Sequence, residues 1–251
     1  MTPDHQAYPL TGRFLEGRLR HAMSEAEKAR LEALVDRDEK FGGDHVIVRR
    51  GETLDHCTML VDGFALRTAE RAGHSYIVGV HVPGDFIDLH NFALKRLDHN
   101  LISVGRVHLA YVPHTALVRE LAETPRLARI LWFASLLDAS IHRTWIMKLE
   151  QLRADRRLAH LLAEIWHRLE MVGLDRPDGF ASPLGQAHLA VMCGISAVHA
   201  NRALGLLRDA GVAQFRRGRL FCDNRAALEA HGSFNRDYLY GQGVLELHDE
   251  I

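Results

Sequence analysis

The residues best suited to recognition chemistry lie in the last third of the chain. Asn201 and Arg202 fall on one side of a short helical pattern that begins at Ser196. A guanidinium fork matches the O6 and N7 edge of guanine, and a carboxamide matches adenine. A good bidentate pair supplies about 1–3 kcal/mol of base discrimination. The Ser196 hydroxyl is placed to cap the helix, whose first amides then face a phosphate. Ala197 and Val198 share the outward side, with small side chains at 197 and 200 allowing close approach to a surface, and Gln186 and His199 complete the candidate set. Arg216, Arg217 and Arg219 follow around Gly218 and suit backbone phosphates, which contribute affinity rather than sequence choice.

These groups need a scaffold, and the pattern supplies one. Residues 184–204 read as two short helices joined by a tight turn at Gly194. Ala200, Ala203, Leu204 and Leu207 cluster on the inner side of the second helix, against Leu189, Ala190 and Cys193 of the first. Residues 212–215 and 220–222 alternate around the arginine cluster, which predicts a hairpin with a basic tip. A lone helical arginine is usually a solvated surface residue, and helix-turn-helix patterns occur in proteins that never touch DNA. The basic hairpin behind this one is what favours DNA.

Charge agrees with that placement. The 251-residue chain has a net charge of −1, yet residues 181–231 hold six arginines against three acids, and the last twenty residues hold one arginine against four. Cys57, Cys193 and Cys222 form no Cys-x-x-Cys pair, so buried free thiols are expected and neither a zinc site nor an iron–sulfur cluster is. No apolar run is long enough to span a bilayer, and residues 1–10 lack the basic start and apolar block of a signal peptide, so a cytoplasmic protein without membrane contact is expected. No catalytic constellation stands out, and no enzymatic activity is expected.

Upstream, Ser24 and Glu27 spell a capping box with a helix following to Val35. Strands are predicted at 45–49, 59–68, 76–82 and 101–112, with turn signals at Arg50-Gly51-Glu52, Asp62-Gly63, Ala72-Gly73 and Pro83-Gly84-Asp85. A long helix is predicted from Pro125 to Leu152. Ile130, Ala134, Leu137, Ile141, Trp145 and Leu149 form one apolar stripe on it. The stripe suits packing on its own domain or against a second copy; the likeness to a coiled-coil seam, with Trp145 as anchor, favours the copy. Another helix is predicted from Ala154 to Val172. The fold class is α+β: an N-terminal antiparallel, jelly-roll-like β-roll (1–125), a long dimerisation helix (126–152), a C-terminal winged helix-turn-helix (153–232) and an unassigned tail (233–251).

This order of parts, over roughly residues 30–231, resembles the Crp/Fnr transcription factors. The most specific stretch is Gly194-Ile195-Ser196-x-Val198-His199-x-Asn201-Arg202-x-Leu204, which is similar to the recognition helix of one branch of that family. Arg50-Gly51-Glu52, Val61-Asp62-Gly63 and Pro83-Gly84-Asp85-Phe86 look like the family's turn glycines. The resemblance implies a homodimer across a two-fold-related DNA site, with Arg202 as the guanine-reading arginine. It implies RNA polymerase and an unidentified small-molecule effector as further partners. Two departures stand out: Val198 replaces a frequent glutamate, exchanging a cytosine contact for a thymine methyl, and Gly185 replaces the usual Ser or Thr cap.

The sensor half departs further. Gly84, Asp85, Phe86, Asp88 and His90 are the candidate effector-pocket residues, but the Arg-Ser pair that holds a cyclic phosphate in the family is missing before Leu101. Cyclic AMP is therefore disfavoured. The N-terminal cysteine cluster of the oxygen-sensing members is missing too. His81, His90 and His99 lie near the pocket, but a single strand histidine is more often packed or solvated than a ligand, and neither heme nor metal is expected. Three readings compete: a regulator with an effector-sensing roll, a regulator whose roll is only a scaffold, and a cupin-like metalloenzyme. The last needs a His-x-His pair on a strand, and the strands contain none.

Overall fold

The computed structural model describes residues 4–241. Within them the chain forms two compact units, one of residues 4–67, 80–139 and 240–241, the other of residues 68–79 and 140–239. In the first, α1 (Asp4–Ala7) precedes α2 (Glu25–Ala33). The capping box is present: Ser24 Oγ accepts the Glu27 amide at 3.2 Å, and Glu27 Oε2 accepts the Ser24 amide at 2.7 Å. The segment between these helices, unread in the sequence, buries Phe14 and Leu19 and is tied by Arg20 to the Thr11 carbonyl.

Strands β1 (Arg37–Phe41), β2 (Val46–Val48), β3 (His56–Arg71), β4 (His74–His81) and β5 (Asn100–Pro113) make a sheet of order β1-β5-β3-β4, with β2 also on β5. Both β1 and β2 run antiparallel to β5. The four strands expected from sequence correspond to β2–β5. Strand β1 was missed because Arg-Asp-Glu-Lys-Phe has no apolar alternation. It is a charged edge strand, held by β5 and by Arg37 lying 4.0 Å over the Tyr111 ring. The Asp62-Gly63 turn signal is corrected, since β3 runs straight through it. Gly63 is needed there because a β-carbon would sit 2.4 Å from the Arg106 carbonyl oxygen. Leu60, Ile87, Leu101 and Leu109 are fully buried in the interior of the roll.

Helices α3 (Asn91–Leu94) and α4 (His114–Glu123) lead to α5 (Pro125–Gln151), the long helix expected. Its dimer stripe is corrected. Ile130, Leu137, Ile141 and Trp145 are 0%, 7%, 9% and 4% exposed, so they are buried within a single chain. Trp145 Nε1 donates to Glu164 Oε2 at 3.0 Å. Ala134 is half-buried and Leu149 exposed. The apolar face left open is another one, with Trp132, Leu136 and Ile146 at 65%, 51% and 68% exposure. A helix with two apolar faces gives the same periodicity for both, and only packing decides which is covered.

The second unit contains α6 (Ala154–Met171), β6 (Gly179–Ala181), α7 (Gln186–Met192), α8 (Ala197–Asp209), β7 (Gln214–Arg216), β8 (Arg219–Phe221) and α9 (Arg225–His231). The three strands pair antiparallel in the order β6-β8-β7. The start of the unassigned tail belongs here: Leu239 is fully buried, and Tyr238 donates to Glu164 Oε2 at 2.7 Å. The rest of the tail, from 242, lies outside the described residues. Among the described residues no single helix is long and apolar enough to cross a membrane.

Candidate nucleic-acid interface

Helices α7 and α8 meet at 100°, the angle of a helix-turn-helix. Gly194 makes the turn at φ +63°, a conformation that costs other residues about 1–2 kcal/mol. Helix α7 starts on Gly185, which offers no capping side chain; instead His188 Nδ1 reaches back to accept the Gly185 amide at 3.0 Å. Helix α8 is capped as expected, with Ser196 Oγ accepting the His199 amide at 3.2 Å. Ala200, Ala203, Leu204 and Leu207 are buried. Burying each leucine contributes about 1.5–3 kcal/mol, which holds in place a helix too short to be stable alone.

The opposite side of α8 is open. Ser196, Ala197, Val198, His199, Asn201 and Arg202 are all exposed, Val198 to 77%. Asn201 opens onto a groove of about 350 Å³ shared with Gln186 of α7 and Arg216 of the hairpin. Arg202 and His199 border a second cleft, of about 600 Å³, whose further lining includes Glu150 and Asp155 at the α5–α6 joint. The two candidate base readers therefore flank α8 rather than aim at one spot.

The hairpin is tighter than the sequence suggested. Strand residues Arg216 and Arg219 face each other in register, so only Arg217 and Gly218 form its tip, at φ +49° and +78°. A two-residue turn with both φ positive matches the twist of a hairpin. Gly218 is also held by space, since a β-carbon would come within 2.1 Å of the Ser182 carbonyl oxygen. Arg219 is corrected as a phosphate ligand: it donates to Asp178 at 3.0 Å and stacks on Phe221 at 4.3 Å. Arg208 pairs with Asp209, and Arg225 with Glu170 and Glu229. Of the six arginines between 181 and 231, Arg202, Arg216 and Arg217 are the exposed ones with no partner among the described residues.

One positioning residue escaped the sequence reading. Arg157 on α6 donates to the carbonyls of Leu149 at 2.5 Å, Leu152 at 2.7 Å and Cys193 at 3.1 Å. It satisfies orphan carbonyls at the end of α5 and ties them to the turn that aims α8. An arginine in an arginine-rich helix carries no sequence signal for this task.

The effector-pocket residues are mostly structural. A β-carbon on Gly84 would meet the Arg13 carbonyl oxygen at 2.3 Å, and Phe86 stacks edge-on with Phe14 at 5.3 Å. Asp85 accepts the Val82 amide at 3.1 Å, and fully buried Asp88 accepts the Thr58 amide at 2.6 Å. Burial pushes Asp88 up to about 6, against the pull of the Thr58 amide. These four hold the roll together and are corrected as ligand groups. His90 faces a polar cluster that Asp85 also joins: the His90 ring is 5.5 Å from that of His99, Asp85 Oδ2 is 3.5 Å from His81 Nδ1, and Arg67, itself bound to Asp138 at 2.9 Å, is close by. Burial first, then the Arg67 charge, lowers His90 to about 4 and lowers His81 and His99 as well. All three imidazoles are neutral at neutral pH. Arg67 was not singled out from sequence, since nothing in the surrounding apolar strand marks it as inward-facing. Among the described residues no three His, Cys, Asp or Glu side chains converge on a point that could hold a metal ion.

A roll followed by a long helix and a winged helix-turn-helix with an open, arginine-bearing second helix defines the fold class of this chain. The comparisons agree. Residues 156–231 match the Crp-like helix-turn-helix domain family. FixK2 from Bradyrhizobium japonicum superposes with a TM-score of 0.69 at 19% identity, covering 77% of this chain and 96% of that one. A CRP-family transcriptional regulator from Thermus thermophilus gives 0.63 at 17% identity, covering 78% and 96%. CLP, a c-di-GMP responsive global regulator from Xanthomonas campestris, gives 0.61 at 16% identity, covering 80% and 100%. No curated protein matches the chain in sequence. The chain thus carries a Crp-like helix-turn-helix domain within the fold of the Crp/Fnr regulators.

Proposed function

We propose that the chain is a sequence-specific DNA-binding transcription regulator acting as a homodimer. The observation that carries this is the exposure of Val198, Asn201 and Arg202 on the Ser196-capped helix, with Arg216 and Arg217, which have no partner among the described residues, on the hairpin beside it. The N-terminal half of α8 enters the major groove. Arg202 reads guanine, Asn201 adenine, and Val198 touches a thymine methyl. Arg216 and Arg217 neutralise phosphates and fix the register. The likeness to a CRP-family transcriptional regulator and to a global regulator supports the same reading.

The dimer forms along the open face of α5. Trp132, Leu136, Ala139, Arg143, Ile146 and Glu150 recur at alternating steps of four and three, the spacing of a coiled-coil seam, and exposed Trp132, Leu136 and Ile146 supply its apolar contacts. For the roll, the scaffold reading is favoured over cyclic-nucleotide sensing, because four of the five candidate ligand residues are occupied in holding it together. Cyclic AMP should leave DNA affinity unchanged.

The test is fluorescence anisotropy of the cognate duplex with Arg202→Ala. The expected loss is about 1–3 kcal/mol per half-site, or roughly 5- to 150-fold in Kd for each, with non-specific binding unaltered. An unchanged Kd for the cognate site sinks the assignment.

A further inference from the structure

A recognition helix lying in a major groove about 12 Å wide has a phosphate backbone on each side of it. Helix α8 is flanked in the same way by two open clefts. Arg216 lines the one on the Asn201 side. The other, of about 600 Å³ on the Arg202 side, carries three arginines, Arg153, Arg157 and Arg202, against Glu150 and Asp155. Arg157 is occupied by the carbonyls of Leu149, Leu152 and Cys193, and Arg202 is the proposed base reader. Asp155 is 2.8 Å from His231 Nε2. The charge left over on this side is Arg153, with Glu150 as the one opposing acid that has no partner among the described residues.

Arg153 is not there for the fold. It stands at the N-cap of α6, with extended backbone at φ −73° and ψ 164°, and its side chain makes no capping hydrogen bond. A guanidinium has no acceptor to offer a backbone amide, and its charge meets the positive end of the helix dipole. Ser, Thr, Asp and Asn are the residues that this position favours. The Arg153 side chain is exposed and has no partner among the described residues. A residue that breaks a local rule with no compensating contact inside the chain points to a partner outside it.

We propose that Arg153 contacts a backbone phosphate of the DNA strand on the Arg202 side of α8. Each recognition helix is then held by one strand through the hairpin and by the other through the joint between α5 and α6. The proposal rests on α8 entering the major groove. It adds a contact from outside residues 156–231, the part of the chain that matches the Crp-like helix-turn-helix domain. An exposed arginine stem reaches a phosphate without any change in the backbone, and Glu150 beside it limits the contact to one phosphate per half-site.

The probe is a duplex carrying the sequence that the full chain enriches from a random library, titrated by anisotropy in potassium chloride from about 50 to about 200 mM. One phosphate contributes about 0.9 to the slope of log K against log salt, so over this fourfold range Arg153→Gln should lose about 3.5-fold less affinity per half-site than the wild type. Arg153→Lys keeps the charge and should keep the slope. Arg156→Gln is the control, since its guanidinium is held by the His231 carbonyl at 3.0 Å and by Ser233, and its slope should match the wild type. In a second series the phosphates of the same duplex are replaced one at a time by neutral methylphosphonates. At least one replacement should weaken the wild type and leave Arg153→Gln unaffected, on the strand opposite the one where Arg216→Gln becomes insensitive. An unchanged slope in Arg153→Gln, an equal change in Arg156→Gln, or no phosphate to which Arg153→Gln is insensitive overturns the contact. If Arg216→Gln still lowers the slope in that case, the reading of α8 and its hairpin survives; a wild type that enriches no sequence overturns both.

Discussion

Replacing Arg216 and Arg217 together by glutamine removes the two hairpin guanidiniums that have no partner among the described residues, one at a strand position and one in the turn. The backbone there is held by Gly218 against the Ser182 carbonyl and by the β7–β8 pairing, so the variant keeps its shape. Each phosphate neutralised by protein contributes about 0.9 to the slope of log K against log salt, so the double variant should lose about 1.8 per half-site. Over a fourfold rise in salt, from about 50 to about 200 mM, its affinity should fall about 12-fold less per half-site than that of the wild type. Arg219→Gln is the internal control. Its guanidinium is occupied by Asp178 and Phe221, so the slope should stay the same while the melting temperature drops slightly, as for a partly exposed ion pair. Anisotropy titrations of one duplex across a potassium chloride series read both slopes. An unchanged slope in the double variant, or an equal loss in Arg219→Gln, refutes the division of labour among the three arginines.

Other consequences are as direct. Ser196→Ala removes the α8 cap and should cost about 1 kcal/mol of stability in denaturant unfolding, whereas Ser196→Asp should retain most of it. Leu136→Asp or Ile146→Asp should shift the chain to monomer in sedimentation velocity, while Leu149→Asp, off the proposed seam, should not. Acid should destabilise the roll. His81, His90 and His99 are depressed when folded, so below the ordinary value of 6.5 the unfolded chain takes up protons that the folded chain declines, and stability falls as pH drops towards 4. Asp88, raised to about 6, works the other way: its contribution is present at low pH and is lost as pH rises through 6. Of the described roll groups shifted in this window, the imidazoles of His81, His90, His99 and His114 oppose the carboxyls of Asp88 and Glu16; the net is a fall, which His90→Asn should flatten in urea melts between pH 4 and 6.5. A stability that rises on acidification over that window contradicts the buried-imidazole arrangement.

The helix-turn-helix was legible because its signals are local. The Ser196 cap, the Gly194 turn and the inner positions Ala200, Ala203, Leu204 and Leu207 each follow from neighbours a few residues away. The placement of Arg216 and Arg217 on a hairpin was legible for the same reason. The pairing of Arg219 was not, because its partner Asp178 is 41 residues distant. Long-range pairing also explains the other misses. Strand β1 exists through β5, Glu164 is buried through Trp145 and Tyr238, and the carbonyls that Arg157 holds belong to separate elements. The stripe on α5 shows a different limit: periodicity identifies an apolar face but not what covers it, and Trp132, Leu136 and Ile146 form a second face that the first one masked.

The most direct measurement is selection of bound duplexes from a random-sequence library by the purified chain, repeated with Arg202→Ala. The wild type should enrich a two-fold-related sequence with a guanine at one position in each half, and the variant should lose preference at that position while keeping the others. Recovery of unenriched library by the wild type, or an identical enriched sequence from Arg202→Ala, contradicts recognition through α8.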